Sequence, residues 1–208
     1  MCRDFFALFK DYALLSMMIR LHLLRHARTT APSGSLVGAT DVDLSEQGVL
    51  QAQRLAGRLP GGLTCLCSPM RRCRQTLDRL QANGVAAEVV FDERLREMDF
   101  GDWEMKTFSE LADNDADIDA WMEYVHFTFP GGESVDHFVD RLQDLLVEFR
   151  TRPDEEILIL THGGVIRTLL CLTLGIAVKN YLLFNVLPAS WSTVELYSEG
   201  GVLTALNR

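Results

Sequence analysis

Three short apolar runs constrain this chain more than any other feature. Ile19 to Leu24, Leu63 to Cys67 and Ile157 to Leu160 have strand length and the Ile and Leu content of buried strands. The third is wholly apolar, as expected of a strand covered on both faces. Helical periodicity separates the runs, and strand–helix alternation of this kind builds a three-layer α/β/α sandwich around a mainly parallel sheet. Ligands in open α/β sheets sit at the carboxyl ends of the strands. Here those ends carry Arg25-His26, then Ser68-Pro69 with Arg71, Arg72 and Arg74 behind it, then Thr161-His162-Gly163-Gly164. An arginine and an imidazole at the end of a buried strand make sense where something anionic is met.

Local signals place the remaining elements. Ser45 is an N-cap for a helix with Val49, Ala52, Ala56 and Leu59 facing inward and Leu44–Val49 as a hydrophobic staple; Pro60-Gly61-Gly62 stops it. Ser68 as cap, with Pro69 at the first helical position, opens the next helix, whose core face is Met70, Cys73, Leu77 and Leu80. Arginines in its first turns oppose the helix dipole, a cost that an anionic ligand would offset. A short strand at Glu88 to Phe91 leads into the acid-rich loop from Asp92 to Glu104, which supplies carboxyl groups for proton transfer. Residues 107–127 read as helical pieces. Their Asp113, Asp115, Asp117 and Asp119 fail as a calcium loop, because the sixth position is Ile118 and the twelfth Tyr124. Ser134 opens the cleanest helix, with Val135, Phe138, Val139, Leu142, Leu145, Leu146 and Phe149 on one face and His137 off it. Trp191 to Tyr197 and Val202 to Leu206, joined through Glu199-Gly200-Gly201, form a terminal hairpin.

At 208 residues the chain reads as one domain, 19–208, behind an N-terminal extension, 1–18. Lys10-Asp11 splits the apolar part of that extension, so neither a secretory peptide nor a membrane span is expected, and Met17-Met18 is a candidate natural start. Five cysteines without paired spacing fit a reducing, cytoplasmic setting, with Cys65 and Cys67 as buried thiols. A formal charge of −9 argues against a broad nucleic-acid surface, so an anionic ligand must be held by a few converging arginines. No metal is expected: His22 and His26 sit on one strand about 13 Å apart by extended rise. No HExxH, CxxC or nucleotide-binding glycine motif is present either.

Two histidines and two or more arginines at one sheet edge describe a pocket for a phosphate dianion, which suits guanidinium forks. A neutral imidazole among cations resists protonation and keeps a lone pair for nucleophilic attack. Five stretches in order then resemble the motifs of the histidine phosphatase (phosphoglycerate-mutase-like) superfamily. They are Leu23-Leu24-Arg25-His26-Ala27-Arg28-Thr29, Ser68-Pro69-Met70-Arg71-Arg72-Cys73, Leu95 to Glu104, Gly131-Gly132-Glu133-Ser134 and Thr161-His162-Gly163-Gly164.

The resemblance implies a phosphoglycerate-mutase-like fold and a phosphomonoesterase that needs no metal or cofactor. It implies His26 as the nucleophile of a phosphohistidine intermediate, with Arg25, Arg72 and His162 on the phosphoryl oxygens. The family pattern Ser-x-x-x-Arg is what singles out Arg72. Glu97 matches the acid that protonates the leaving oxygen and later activates water. Arg28, where Glu or Gln is common, adds a cation near the mouth, and Gly163 offers its backbone to the ligand. Ala27 replaces a usual glycine, and Pro32 stands where an asparagine is often found.

The stretch around Glu97 and the compact length are most similar to bacterial phosphatases acting on α-ribazole 5′-phosphate in cobalamin nucleotide-loop assembly. The expected partner is therefore that ester or another small phosphorylated metabolite, with no nucleic acid and no membrane; a homodimer stays open. A phosphoglycerate-type mutase and a non-catalytic phosphate-binding protein are the alternatives.

Overall fold

The computed structural model describes residues 18–113, 118–123, 126–152 and 155–208. The extension up to residue 17, with Cys2, and Asp115, Asp117 and Tyr124 lie outside the described residues. The strands are β1 Ile19–Arg25, β2 Leu63–Cys67, β3 Ala86–Phe91, β4 Glu156–Thr161, β5 Trp191–Tyr197 and β6 Gly200–Ala205. They form one sheet in the order β3-β2-β4-β1-β5-β6, parallel from β3 to β1 and antiparallel at β5 and β6. The helices are α1 Glu46–Ala56, α2 Arg71–Gln81, α3 Phe108–Asp113, α4 Ile118–Glu123, α5 Val135–Phe149 and α6 Gly163–Leu174. None is long and apolar enough to cross a membrane.

β4 shows how the layers arise. Successive side chains on a strand point to opposite faces. Ile157 and Ile159 join Phe138, Leu142 and Leu145 of α5 and Ile166 and Leu170 of α6. Leu158 and Leu160 join Leu55 and Ala56 of α1 and Cys73, Leu77 and Leu80 of α2. Helices therefore cover both faces, and the three-layer arrangement follows. Cys65 and Cys67 are buried free thiols in the second of these clusters.

Most local signals act where the sequence puts them. Ser45 caps α1 by accepting from Gly48 N, and Ser134 caps α5 by accepting from His137 N. Two expectations are corrected. α2 starts at Arg71 behind Met70, without a side-chain cap: the Ser68 hydroxyl accepts from the His162 ring at 2.8 Å and reaches the backbone only at Met70 N, 3.4 Å away and ahead of the helix. The terminal hairpin is tighter than expected: Tyr197 pairs with Gly200, so both glycines join the β6 ladder and the strand ends at Ala205.

Register then places the site. β1 pairs Arg25 with Thr161 of β4, and β2 pairs Cys67 with Leu160, so three parallel strands end nearly level. His26 N donates to Thr161 O and Ser68 N to Leu160 O, which extends both ladders one residue past the strands. His26, His162 and Ser68 leave the sheet side by side.

Candidate active site

A cavity of about 500 Å³ opens over these strand ends. Its wall includes Arg25, His26, Arg28, Glu97, Gly163 and Arg167, the loop from Thr29 to Val37, and the rings of Phe100, Trp121 and Tyr181. His26 Nδ1 lies 2.8 Å from the Ala27 carbonyl oxygen. A carbonyl can only accept, so Nδ1 carries the proton and Nε2 keeps a free lone pair. Burial, reinforced by Arg25 and Arg72, holds this imidazole well below its usual 6.5, so the ring is neutral near pH 7. That is the protonation state a nitrogen nucleophile needs.

His162 stands directly behind, edge-on to His26 with ring centroids 5.1 Å apart. Arg72 Nε donates to its Nδ1 at 3.0 Å. An arginine can only donate, so the His162 proton sits on Nε2 and is given to Ser68 Oγ at 2.8 Å. Burial, then Arg72, pushes this histidine too well below its usual value. Arg72 itself is fully buried. Its terminal nitrogens donate to the carbonyls of Thr40, Val37 and Gly38. Arg72 and His162 thus form a layer beneath the cavity wall.

Arg25 donates from NH1 to Val186 O at 2.8 Å, while its buried Nε has no partner. Burial and the neighbouring Arg167 lower its pKa to about 10. The Arg25 guanidinium lies against the first turn of α6, where a β-carbon on Gly163 would stand 3.3 Å from Arg25 Cζ. That helix end adds its positive dipole to the wall.

Glu97 accepts from Gly164 N at 2.9 Å and Met98 N at 3.2 Å. A β-carbon on residue 164 would fall 2.5 Å from Glu97 Oε1, so glycine is what lets the carboxylate approach the helix so closely. Arg141, paired with Glu133, donates to the Arg94 and Glu97 carbonyls and holds this segment from behind. Arg28 is exposed at the mouth, 3.4 Å from Gln47 Oε1.

Arg25, His26, Arg28, Glu97 and Gly163 therefore share one cavity, with Arg72 and His162 behind it. His22 does not join them: its ring nitrogens face Thr193 Oγ1 and Glu156 Oε1 within the sheet. Sequence reasoning missed Arg167, the aromatic wall and the Glu104 anchor. Arg167 follows Gly163 by four residues, a one-turn spacing that could have marked it. The Glu104 carboxylate accepts from the N–H groups of Gly38, Ala39, Thr40 and Phe100, and so fixes the loop whose carbonyls hold Arg72.

Residues 21–208 match the model of the histidine phosphatase superfamily, branch 1. The chain belongs to this superfamily. This histidine phosphatase is 30% identical over 197 residues to phosphoserine phosphatase 1 of Hydrogenobacter thermophilus, with 91% of this chain and 92% of that protein covered. It is 35% identical over 188 residues to the glucosyl-3-phosphoglycerate phosphatase of Mycolicibacterium vanbaalenii, covering 83% and 82%. The crystal structure of the α-ribazole phosphatase from Shigella flexneri superimposes with a TM-score of 0.79 at 28% identity, covering 91% and 96%. The protein is a phosphatase, and its mixed α/β sheet is the fold of its structural relatives.

Proposed function

We propose that this phosphatase hydrolyses small phosphomonoesters through a phosphohistidine on His26, without a metal. The observation that carries this reading is the free Nε2 lone pair on the cavity wall, with the proton held on Nδ1 by the Ala27 carbonyl. Nε2 attacks phosphorus and the ester P–O bond breaks, while protonated Glu97 gives its proton to the leaving oxygen. Arg25 and the first turn of α6 at Gly163 hold the phosphoryl oxygens. Arg72 and His162 complete that cradle from behind, and Arg28 meets the substrate at the mouth. The Glu97 carboxylate then takes a proton from water, whose oxygen attacks phosphorus. The P–N bond breaks, its electron pair returns to Nε2, and inorganic phosphate leaves. Four buried free thiols, Cys65, Cys67, Cys73 and Cys171, fit a reducing cytoplasm.

For the alcohol half, α-ribazole 5′-phosphate is supported by the Shigella flexneri relative and by Phe100, Trp121 and Tyr181, against which a flat ring system can pack. A second class is supported by Arg167 and by the relatives named for phosphoserine and glucosyl-3-phosphoglycerate, esters whose alcohol carries a carboxylate. Phosphate release across both classes, ranked by kcat/KM, separates them. The His26→Ala variant is expected to lose about 10³-fold or more in kcat on every ester. Near-normal turnover in that variant, with the fold intact by circular dichroism, would refute the phosphohistidine route.

A further inference from the structure

We infer that Arg167 binds a carboxylate on the alcohol half of the substrate, so that the preferred ester is a phosphorylated hydroxy acid or amino acid. This rests on the phosphatase reading above and narrows it. Arg167 stands on α6 and shares the cavity wall with Tyr181 and Leu182. Its Nε donates to Phe184 O at 2.9 Å, which fixes the guanidinium plane. The two terminal nitrogens remain, and neither has a hydrogen-bond acceptor among the described residues. They form an edge that matches the two oxygens of a carboxylate.

The setting gives that edge a reason to exist. Arg167 NH1 lies 3.4 Å, and Arg25 Cζ 3.3 Å, from the point a Gly163 β-carbon would occupy, so two cations are packed over one glycine. Among the described residues, no carboxylate forms an ion pair with either. Like charges side by side at a partly buried wall are unfavourable unless a ligand neutralises them.

Arg25 adjoins the nucleophile and serves the phosphoryl group. Arg167 is one helical turn further along α6, beside the segment that follows it. Charge balance points the same way. The ionisable side chains on the wall that carry charge are Arg25, Arg28, Arg167 and Glu97. When Glu97 is protonated to act as an acid, a phosphate dianion leaves one positive charge unmatched. A neutral sugar or base offers it nothing, whereas a carboxylate two carbons from the ester oxygen supplies the missing charge.

Two matched pairs of esters test this. O-Phosphoserine differs from O-phosphoethanolamine only by its carboxylate, and 3-phosphoglycerate differs from glycerol 3-phosphate by carboxylate against hydroxymethyl. The wild-type enzyme is expected to prefer the acid of each pair by about tenfold or more in kcat/KM. In Arg167→Gln that preference should fall by about tenfold or more, mainly through KM. Arg167→Lys, which keeps the charge but not the fork, should fall between the two.

Equal losses on both members of a pair would place Arg167 on the phosphoryl group and overturn the proposal. So would a wild-type preference for the esters without a carboxylate or for α-ribazole 5′-phosphate. Failure of the phosphatase reading looks different: no ester, p-nitrophenyl phosphate included, would then be cleaved in a His26-dependent way.

Discussion

Glu97 is the residue whose role depends most on the substrate. A general acid helps in proportion to how badly the leaving oxygen needs a proton. Glu97→Gln keeps an oxygen for the Gly164 N–H but has no proton to give. Alkyl phosphates should therefore lose about 10²- to 10⁴-fold in kcat, and p-nitrophenyl phosphate, whose phenolate leaves unaided, far less. Equal losses on both would remove Glu97 from proton transfer. His26 and Arg25 could be read as candidates because charge at the end of an apolar run is conspicuous. Arg72 could not be chosen from helical spacing alone, since Arg71 and Arg74 share its first turns. The fold shows the difference: Arg72 is buried against the His162 ring and the Val37, Gly38 and Thr40 carbonyls, whereas Arg71 and Arg74 are exposed. Arg167 gave less signal still, because one cation in an apolar helix reads as a solvent-facing residue.

Among the elements, α1 pins the chain just after the nucleophile. A β-carbon on Gly48 would stand 1.9 Å from the Arg28 carbonyl oxygen, to which Ser45 N and Oγ also donate. Helix propensity favours alanine over glycine by about 1 kcal/mol at such a position. The obstacle is backbone, which cannot rotate aside, so the clash should outweigh that gain. Gly48→Ala is expected to lose roughly 1–3 kcal/mol of stability, and to lower kcat by displacing the segment that holds His26. Denaturant midpoints and turnover of the purified variant check both; a more stable variant would mean that α1 does not hold the strand exit. Strands and helices were legible here because their periodicity is local. The start of α2 and the hairpin turn were not, because a distant ring competed for Ser68 and ladder pairing recruited two glycines.

For the molecule as a whole, the environment that keeps the two imidazoles neutral has a cost in mild acid. His26 and His162 both have folded-state pKa values well below 6.5, chiefly through burial and then through the arginines around them. The unfolded chain has no such environment and takes up these protons near 6.5. Below that pH the unfolded state binds more protons than the folded one, so stability falls as pH falls, and nothing is lost above it. Each histidine contributes a slope of up to about 1.4 kcal/mol per pH unit. The salt-bridged carboxylates Asp92 and Glu133, held below their usual values, add their own loss only at lower pH, as they protonate in the unfolded chain. The interval from pH 6.5 to 5 therefore isolates the imidazoles. Urea midpoints measured across it should drop steadily, and His162→Gln, though less stable throughout, should show about half the slope. A flat profile would mean that the folded protein takes up these protons near 6.5 as the unfolded chain does, and that burial and the arginines do not hold the two imidazoles neutral in mild acid.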